Sequence, residues 1–340
     1  MTAAACFALY GLLVAALAPR VLRGDRAVQR VPRVGIALWL GAVCSVLLAG
    51  LAAALVVGLH TALAIGSSEV VMSACLAGLH TSGCVGAVHA AGLYGDLLGL
   101  LLAVMSVLVT GGVVIGGFRV GLIATRVHRA GKHHAEAVRL VGHDAPQLGA
   151  GTVVLDAAER AVYCLPGRGR AVRDHAAVDG GNAAGTVVVT RGALETLSRD
   201  ELAAVLAHER AHLAGHHHMV LSLLCTLSRS FGAIRLFPEA EREVRRLLEM
   251  CADDAAARRH SSTSLVTALL AMSSWRAPGA ALGAAGGDVH ARARRLLEPA
   301  TEAQRCASRR ALMRTFLGAG VAPTATMLAM ALFGCVALLT

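Results

Sequence analysis

The chain has 340 residues, of which 56% are hydrophobic, and its mean hydropathy is positive. This composition excludes an ordinary soluble domain and indicates a membrane protein. The formal net charge is +10, but only 3% of the residues are aromatic and they do not alternate with basic residues. We therefore expect no direct binding of nucleic acid, and we assign the basic residues beside the membrane segments to contact with anionic membrane lipid.

Four apolar runs are each long enough to cross a bilayer, whose hydrocarbon layer requires about 20 helical residues. They span residues 2–19, 34–60, 97–118 and 315–340, and none contains lysine or arginine. The first run ends in a small-residue stretch that resembles a signal-peptide cleavage site. We interpret it as an anchor, because no positive charge precedes it.

The basic residues between these runs predict the topology, since lysine and arginine are retained on the cytoplasmic side. Arginines follow the first run and the third run, whereas residues 61–96 contain none. We therefore predict a multi-pass protein of the cell membrane with both termini outside, an outer loop at residues 61–96 and a cytoplasmic domain at residues 119–314. Cys75 and Cys84 share the outer loop, and the sequence leaves open whether they pair.

The cytoplasmic domain begins with a region in which we predict a small sheet. Three short β-branched runs carry this prediction: residues 152–156, 161–166 and 185–190. Residues 167–184, which are glycine-rich and charged, are interpreted as a long loop. Ser198 followed three residues later by Glu201 forms a capping box, which predicts a helix that begins near Arg199.

That helix carries the stretch AHERAHLAGHHH, residues 207–218. His208 and His212 are four residues apart, so they share one helical face and can bind one metal ion, while Glu209 can contact a metal-bound water. This HExxH arrangement predicts one zinc ion per chain, with Glu209 as the general base. The other interpretation makes both histidines ordinary polar residues of an amphipathic helix. The capping box, the apolar stripe and the preceding strand all favour the zinc site.

Two residues compete for the role of third ligand. His218 completes the pattern HExxHxxGxxH, whereas Glu249 lies on a second predicted helix, with Asp253 one turn later and suitably placed to orient a ligand histidine. We favour Glu249, because the apolar stretch after Gly215 predicts that the first helix continues through this glycine. His218 remains the alternative ligand.

The remaining polar groups near the motif are not assigned as metal ligands. His216 and His217 are expected at the helix surface or on the substrate side, and His217 is a candidate to stabilise the oxyanion. The same expectation applies to His290 and Arg292. We also expect an extended substrate to pair with Gly185–Thr190 as an edge strand.

Three segments together resemble the BlaR/MecR-type antirepressor metallopeptidases of bacterial membranes. They are LSRDELAAVLAHERAH, LLEMCADDAAARR and ARARRLLEP, followed by a final apolar run. The resemblance implies a mainly α membrane protein with four transmembrane helices, three of them amino-terminal, and a cytoplasmic α+β zincin-like metallopeptidase domain. In that family the enzyme removes a cytosolic transcriptional repressor after an outer sensor is triggered, which is a form of signal transduction.

The same resemblance implies a gluzincin-like site, with HExxH and a downstream Glu-x-x-x-Asp. His208, His212 and Glu249 would bind zinc, Glu209 would be the general base, and Asp253 would orient a ligand. The sequence departs from the family's beta-lactam receptors because no penicillin-binding sensor domain follows the fourth run.

Two other functions fit parts of the pattern. An HtpX-type quality-control protease shares HExxH and the later glutamate, but that group usually places two spans before and two after or within its catalytic region. A non-catalytic membrane sensor or scaffold is disfavoured, because every residue that the chemistry needs is present.

Overall fold

The computed structural model describes residues 2–77, 84–166, 185–273 and 285–316. The chain divides into two compact units. In the described part of the chain, the first unit contains residues 2–18 and 41–121, and the second contains residues 19–40 and 122–315. The second unit contains the HExxH segment.

The described residues are mostly helical. The helices are α1 (Thr2–Leu22), α2 (Arg26–Arg30), α3 (Pro32–Ala77), α4 (Cys84–Val141), α5 (Arg191–Thr196), α6 (Arg199–Ala214), α7 (His217–Ser230), α8 (Leu236–Ala257), α9 (Ser262–Ser273), α10 (Ala285–Leu297) and α11 (Glu302–Phe316). The strands are β1 (His143–Asp144), β2 (Thr152–Leu155), β3 (Val162–Pro166) and β4 (Gly185–Thr190).

Two helices near the amino terminus are long and apolar enough to cross a membrane, namely Ala4–Leu22 and Pro32–Leu59. They coincide with the first two predicted spans and support membrane association. The third predicted span lies within α4, which is helical over residues 97–118. The fourth span lies almost wholly outside the described residues. The crossings of the third and fourth spans stay predictions, as does the placement of the termini.

The segment predicted as an outer loop is largely helical. Helix α3 continues to Ala77, and α4 begins at Cys84. Residues 61–77 are largely apolar and contain no proline, so no proline interrupts the helix that continues from the preceding span.

The small sheet has the strand order β1-β2-β4-β3. Strand β4 is parallel to β2 and antiparallel to β3. The three predicted strands are confirmed, but the expectation that Gly185–Thr190 is an edge strand is wrong, because β4 is paired on both sides. Its valines, Val187, Val188 and Val189, are all almost fully buried, as expected for a central strand covered on both faces.

Helix α6 lies between the sheet and the other helices of the second unit. One side of α6 packs against the sheet through Val205, Leu206 and Leu213. Its other side contributes Ala204 to a second apolar cluster with Leu265 of α9 and Leu296 of α10. Helix α6 is therefore fixed from both sides, which fixes the direction of its polar side chains.

Candidate metal centre

The predicted start of α6 is confirmed. The Ser198 hydroxyl accepts a hydrogen bond from the backbone N–H of Glu201 at 3.4 Å, and the Glu201 carboxylate accepts one from the backbone N–H of Ser198 at 2.8 Å. This reciprocal pair satisfies two N–H groups that have no partner within the helix. The helix then runs to Ala214, so His208 and His212 lie one turn apart.

The two imidazoles meet the carboxylate of Glu249, which α8 brings to the same point. The Nε2 atoms of His208 and His212 are 3.1 Å apart. Each lies 3.4 Å from the nearer carboxylate oxygen of Glu249. Among the described residues these three side chains form the group able to hold a metal ion, with their ligand atoms within 4.8 Å of one another.

These separations fit a zinc ion. Ligand atoms bound about 2.0–2.1 Å from a tetrahedral zinc lie about 3.4 Å apart along the edges of the tetrahedron. The observed spacing of 3.1 to 3.4 Å is close to this value. Two neutral imidazoles and one carboxylate also form a donor set that catalytic zinc sites use.

Asp253 contacts the other side of the His208 ring. Its Oδ1 lies 3.1 Å from Nδ1 of His208, and the carboxylate is 1% exposed. Arg292 donates hydrogen bonds to both oxygens of this carboxylate, at 2.8 and 2.7 Å. Burial raises the pKa of Asp253, but Arg292 and His208 outweigh burial and hold that pKa at about 2. Asp253 is therefore a fixed anion that can orient His208, the placement expected of a residue that supports a metal ligand.

Arg292 was missed as part of the site. The sequence predicts it at the helix surface or on the substrate side, but it is buried, and its guanidinium lies 3.0 Å from Oε2 of Glu249. The arginine therefore joins the third candidate ligand to Asp253. Its burial depends on how α10 docks against α8, and an arginine-rich helical sequence does not reveal which of its arginines faces inward.

His217 contacts His212 in the same way that Asp253 contacts His208. Its Nδ1 lies 2.8 Å from Nδ1 of His212, on the side of that ring opposite the meeting point with Glu249. His217 is buried, and each candidate histidine ligand thus has a polar partner at its Nδ1. From this position His217 can hold the ring of His212 in a fixed orientation. It gives no support to the predicted contact of His217 with an oxyanion.

The expectation that the helix continues through Gly215 is wrong. Helix α6 ends at Ala214, and His216 has a left-handed backbone with a φ of +50° before α7 begins at His217. The turn returns His217 to His212, while His218 is not part of the group around Glu249. A glycine after an amphipathic helix is a common helix stop, and this signal was present in the sequence.

Glu209 is half-buried beside Cys164 of β3. Burial raises the pKa of Glu209. The nearby His208 and a hydrogen bond with the Cys164 thiol lower it, but they do not cancel the effect of burial. Burial, followed by the negative charge of Glu209, raises the pKa of Cys164 to about 12, so this thiol stays protonated and can donate. Cys164 was also missed, because the sequence does not show that β3 passes the active-site face of α6.

The three candidate ligands titrate very differently. For His208, burial favours the neutral ring, but Asp253 and Glu249 outweigh it and raise the pKa to about 9. Burial lowers the pKa of His212 to about 4. Glu249 has a pKa of about 2, because His208 and Arg292 overcome the opposite effect of burial. Two histidines and a carboxylate beside a half-buried glutamate are the arrangement of a metallopeptidase.

Comparison with known families agrees with this class. Residues 173–270 match the family model described as Peptidase family M48. The matched segment contains the HExxH motif, Glu249 and Asp253, and it supports a metallopeptidase domain in this part of the chain. It does not confirm the narrower resemblance to the BlaR/MecR type. No solved structure matches the chain.

Proposed function

We propose that this protein is a membrane-embedded, zinc-dependent endopeptidase that cleaves a protein substrate at the cytoplasmic face. One observation carries the proposal: His208, His212 and Glu249 converge within ligand distance of one another, directly beside Glu209. The family match supports the peptidase class, and the two candidate membrane helices support the location in a membrane.

The residues of the site have separate roles in hydrolysis. His208, His212 and Glu249 would hold the zinc ion, and bound zinc lowers the pKa of a water ligand and polarises a carbonyl group. Glu209 takes the proton from the attacking water and delivers it to the departing amine. Its raised pKa suits this exchange, since a base must also be a competent acid near neutral pH. Asp253 and His217 keep the two imidazoles in orientation.

An extended substrate is placed best along the outer edge of β3. Among the described strands, β3 pairs with β4 alone, and its residue Cys164 contacts Glu209. The backbone N–H of Thr190 donates to the carbonyl of Ala161, so alternation along an antiparallel pair turns the backbone groups of Val162 and Cys164 outward. A substrate strand that pairs with them passes next to the general base.

We propose regulatory proteolysis, such as removal of a transcriptional repressor, as the biological role. The arginines that flank the predicted spans support a cytoplasmic domain, where a repressor is accessible. Quality control of membrane proteins remains the alternative role.

The experiment that tests the function compares the proteomes of cells that carry the wild-type protein, Glu209→Gln, or the control Glu195→Gln. Glu195 is exposed on the neighbouring α5, so the control makes the same chemical change outside the site. We expect intact substrate to accumulate with Glu209→Gln only. Accumulation of one cytosolic repressor supports regulation, whereas accumulation of many damaged membrane proteins supports quality control. Identical proteomes in all three strains contradict a peptidase.

A further inference from the structure

A second polar cavity lies in the same unit as the metal centre but is lined by different residues. It is an open cleft of about 830 Å³ with walls from α2, the end of α8, α10 and the start of α11. Its basic lining consists of Arg26, Arg30, Arg258, Arg294, Arg295 and Arg305. None of these arginines contacts His208, His212 or Glu249.

The positive charge of this cleft is only partly balanced. Asp254 accepts two hydrogen bonds from Arg295, both at 2.8 Å, and Glu298 lies 3.5 Å from Arg294. These are the acidic residues that line the cleft. Each is already occupied by an arginine of α10.

The other four arginines have no acidic partner among the described residues. They come from three separate elements: Arg26 and Arg30 from α2, Arg258 from the end of α8, and Arg305 from α11. Like charges that face one cleft repel one another, and the low-dielectric walls strengthen their common field. A bound anion relieves this repulsion.

The type of cation favours a phosphate group as that anion. A guanidinium presents N–H donors in a planar fork that matches phosphate oxygens in pairs, and a binding site becomes specific when several forks approach from different directions. The cleft is large enough for a headgroup rather than a single small ion. The chain has no lysine in this lining, so every basic side chain there can bind in the forked mode.

The position of α2 favours a lipid as the carrier of the phosphate. Helix α2 connects the two candidate membrane helices: Arg26 is four residues after Leu22, and Arg30 is two residues before Pro32. At most four residues therefore separate each arginine from a span end. Basic pockets at the ends of membrane helices bind anionic headgroups.

We propose that this cleft binds a phosphate group, carried by an anionic lipid headgroup or by a free phosphate compound. The position of α2 between the two candidate membrane helices favours the lipid. Arg258 and Arg305 contribute donors from elements other than α2, and the Arg295–Asp254 pair joins α10 to α8 at the lining of the cleft. This site is separate from the peptidase reaction and does not depend on it.

The test measures binding to the full chain in a neutral detergent. The probes are a short-chain phosphatidylglycerol, a short-chain phosphatidylcholine and inorganic pyrophosphate. The cleft variant is Arg258→Gln with Arg305→Gln. The control variant is Arg309→Gln with Arg310→Gln, which removes two exposed arginines from α11 outside the cleft and changes the net charge equally.

We expect saturable binding of phosphatidylglycerol that weakens at least tenfold in the cleft variant and changes less than twofold in the control. Binding of pyrophosphate alone, lost in the cleft variant, also supports the phosphate site and identifies the soluble source. Absence of binding for both anions, or an equal loss in both variants, overturns the proposal. Helical content by circular dichroism and retained metal show that the variants are folded, and Arg258→Lys with Arg305→Lys should restore part of the binding.

Discussion

The two histidines of HExxH are equivalent in sequence, but their surroundings in the structure differ. Glu249 lies 3.4 Å from both rings, but His208 also faces the carboxylate of Asp253 and has a pKa of about 9. His212 instead has the imidazole of His217 at its Nδ1, and burial lowers its pKa to about 4. At neutral pH the metal-free site therefore holds a proton on His208 and none on His212. A metal ion needs both rings neutral, so it must displace one proton.

This difference predicts the pH dependence of metal binding. The raised pKa of His208 means that its proton competes with the metal below pH about 9, while His212 competes only near pH 4. We expect the affinity for zinc to rise about tenfold per pH unit between pH 6 and pH 8, which corresponds to the release of one proton. Competition with a chelator at pH 6, 7 and 8 measures the slope. An affinity that does not change with pH contradicts the protonation of His208.

The choice between Glu249 and His218 as third ligand is also made at the level of single residues. Glu249→Ala removes a carboxylate that lies 3.4 Å from each candidate histidine, so we expect purified protein to lose at least tenfold in zinc affinity. His218→Ala serves as the matched comparison and should retain its zinc, because His218 is not in the group. Elemental analysis of both variants decides between them, and the reverse pattern would restore the His218 assignment.

At the scale of elements, the turn between α6 and α7 is tightly coupled to the metal centre. A methyl group added at Gly215 would come too close to the ring of His217, whose Nε2 would then be 2.4 Å away. The His217 ring has little room to move, because its Nδ1 contacts His212. The absence of a side chain at Gly215 therefore allows His217 to orient His212.

Gly215→Ala should accordingly displace His217 and weaken zinc binding by about 10- to 100-fold, as loss of a residue that supports a metal ligand usually does. His217→Ala should have a similar effect, and the double variant should be no worse than either single one. His216→Gly is the control: it removes a non-glycine residue from a left-handed position and should keep full affinity. Chelator titration of the four variants measures their zinc affinities. If the losses of the two single variants add in the double variant, Gly215 and His217 act independently and the proposed coupling is wrong.

Some elements could be predicted from the sequence because their signals are local. The capping box at Ser198 and the three β-branched runs are determined by neighbouring residues, and they occur where they were expected. The interior position of β4 was misjudged, although three consecutive buried valines are typical of a central strand. The break at Gly215 was also misjudged, because the apolar period of α7 was read as a continuation of α6.

At the scale of the whole molecule, the site is assembled from elements that are distant in sequence. The two histidines come from α6, Glu249 and Asp253 from α8, and Arg292 from α10. The residue types of the ligands could be inferred from known motif chemistry. The burial of Arg292 and the contact of Cys164 with Glu209 could not, because they depend on the docking of α10 and β3, which no local pattern encodes.

The predicted topology can be tested with single-cysteine variants of the full chain. One variant keeps only Cys306, which is exposed on α11, and the other keeps only Cys84, in the predicted outer loop. We expect a membrane-impermeant thiol reagent to label Cys84 in intact cells and Cys306 only after the membrane is opened, because the arginine distribution predicts that α11 lies inside. Labelling of Cys306 in intact cells contradicts a cytoplasmic domain.

If a substrate pairs with the outer edge of β3, as proposed, the short length of this edge limits which proteins could be cut. This strand has five residues, so it can pair only with a chain segment whose own backbone groups are not already paired. A folded substrate must first release such a segment by local opening, and its rate of cleavage then follows the population of the opened form. Any small molecule or DNA site that holds the substrate closed should therefore protect it, without contacting the peptidase at all.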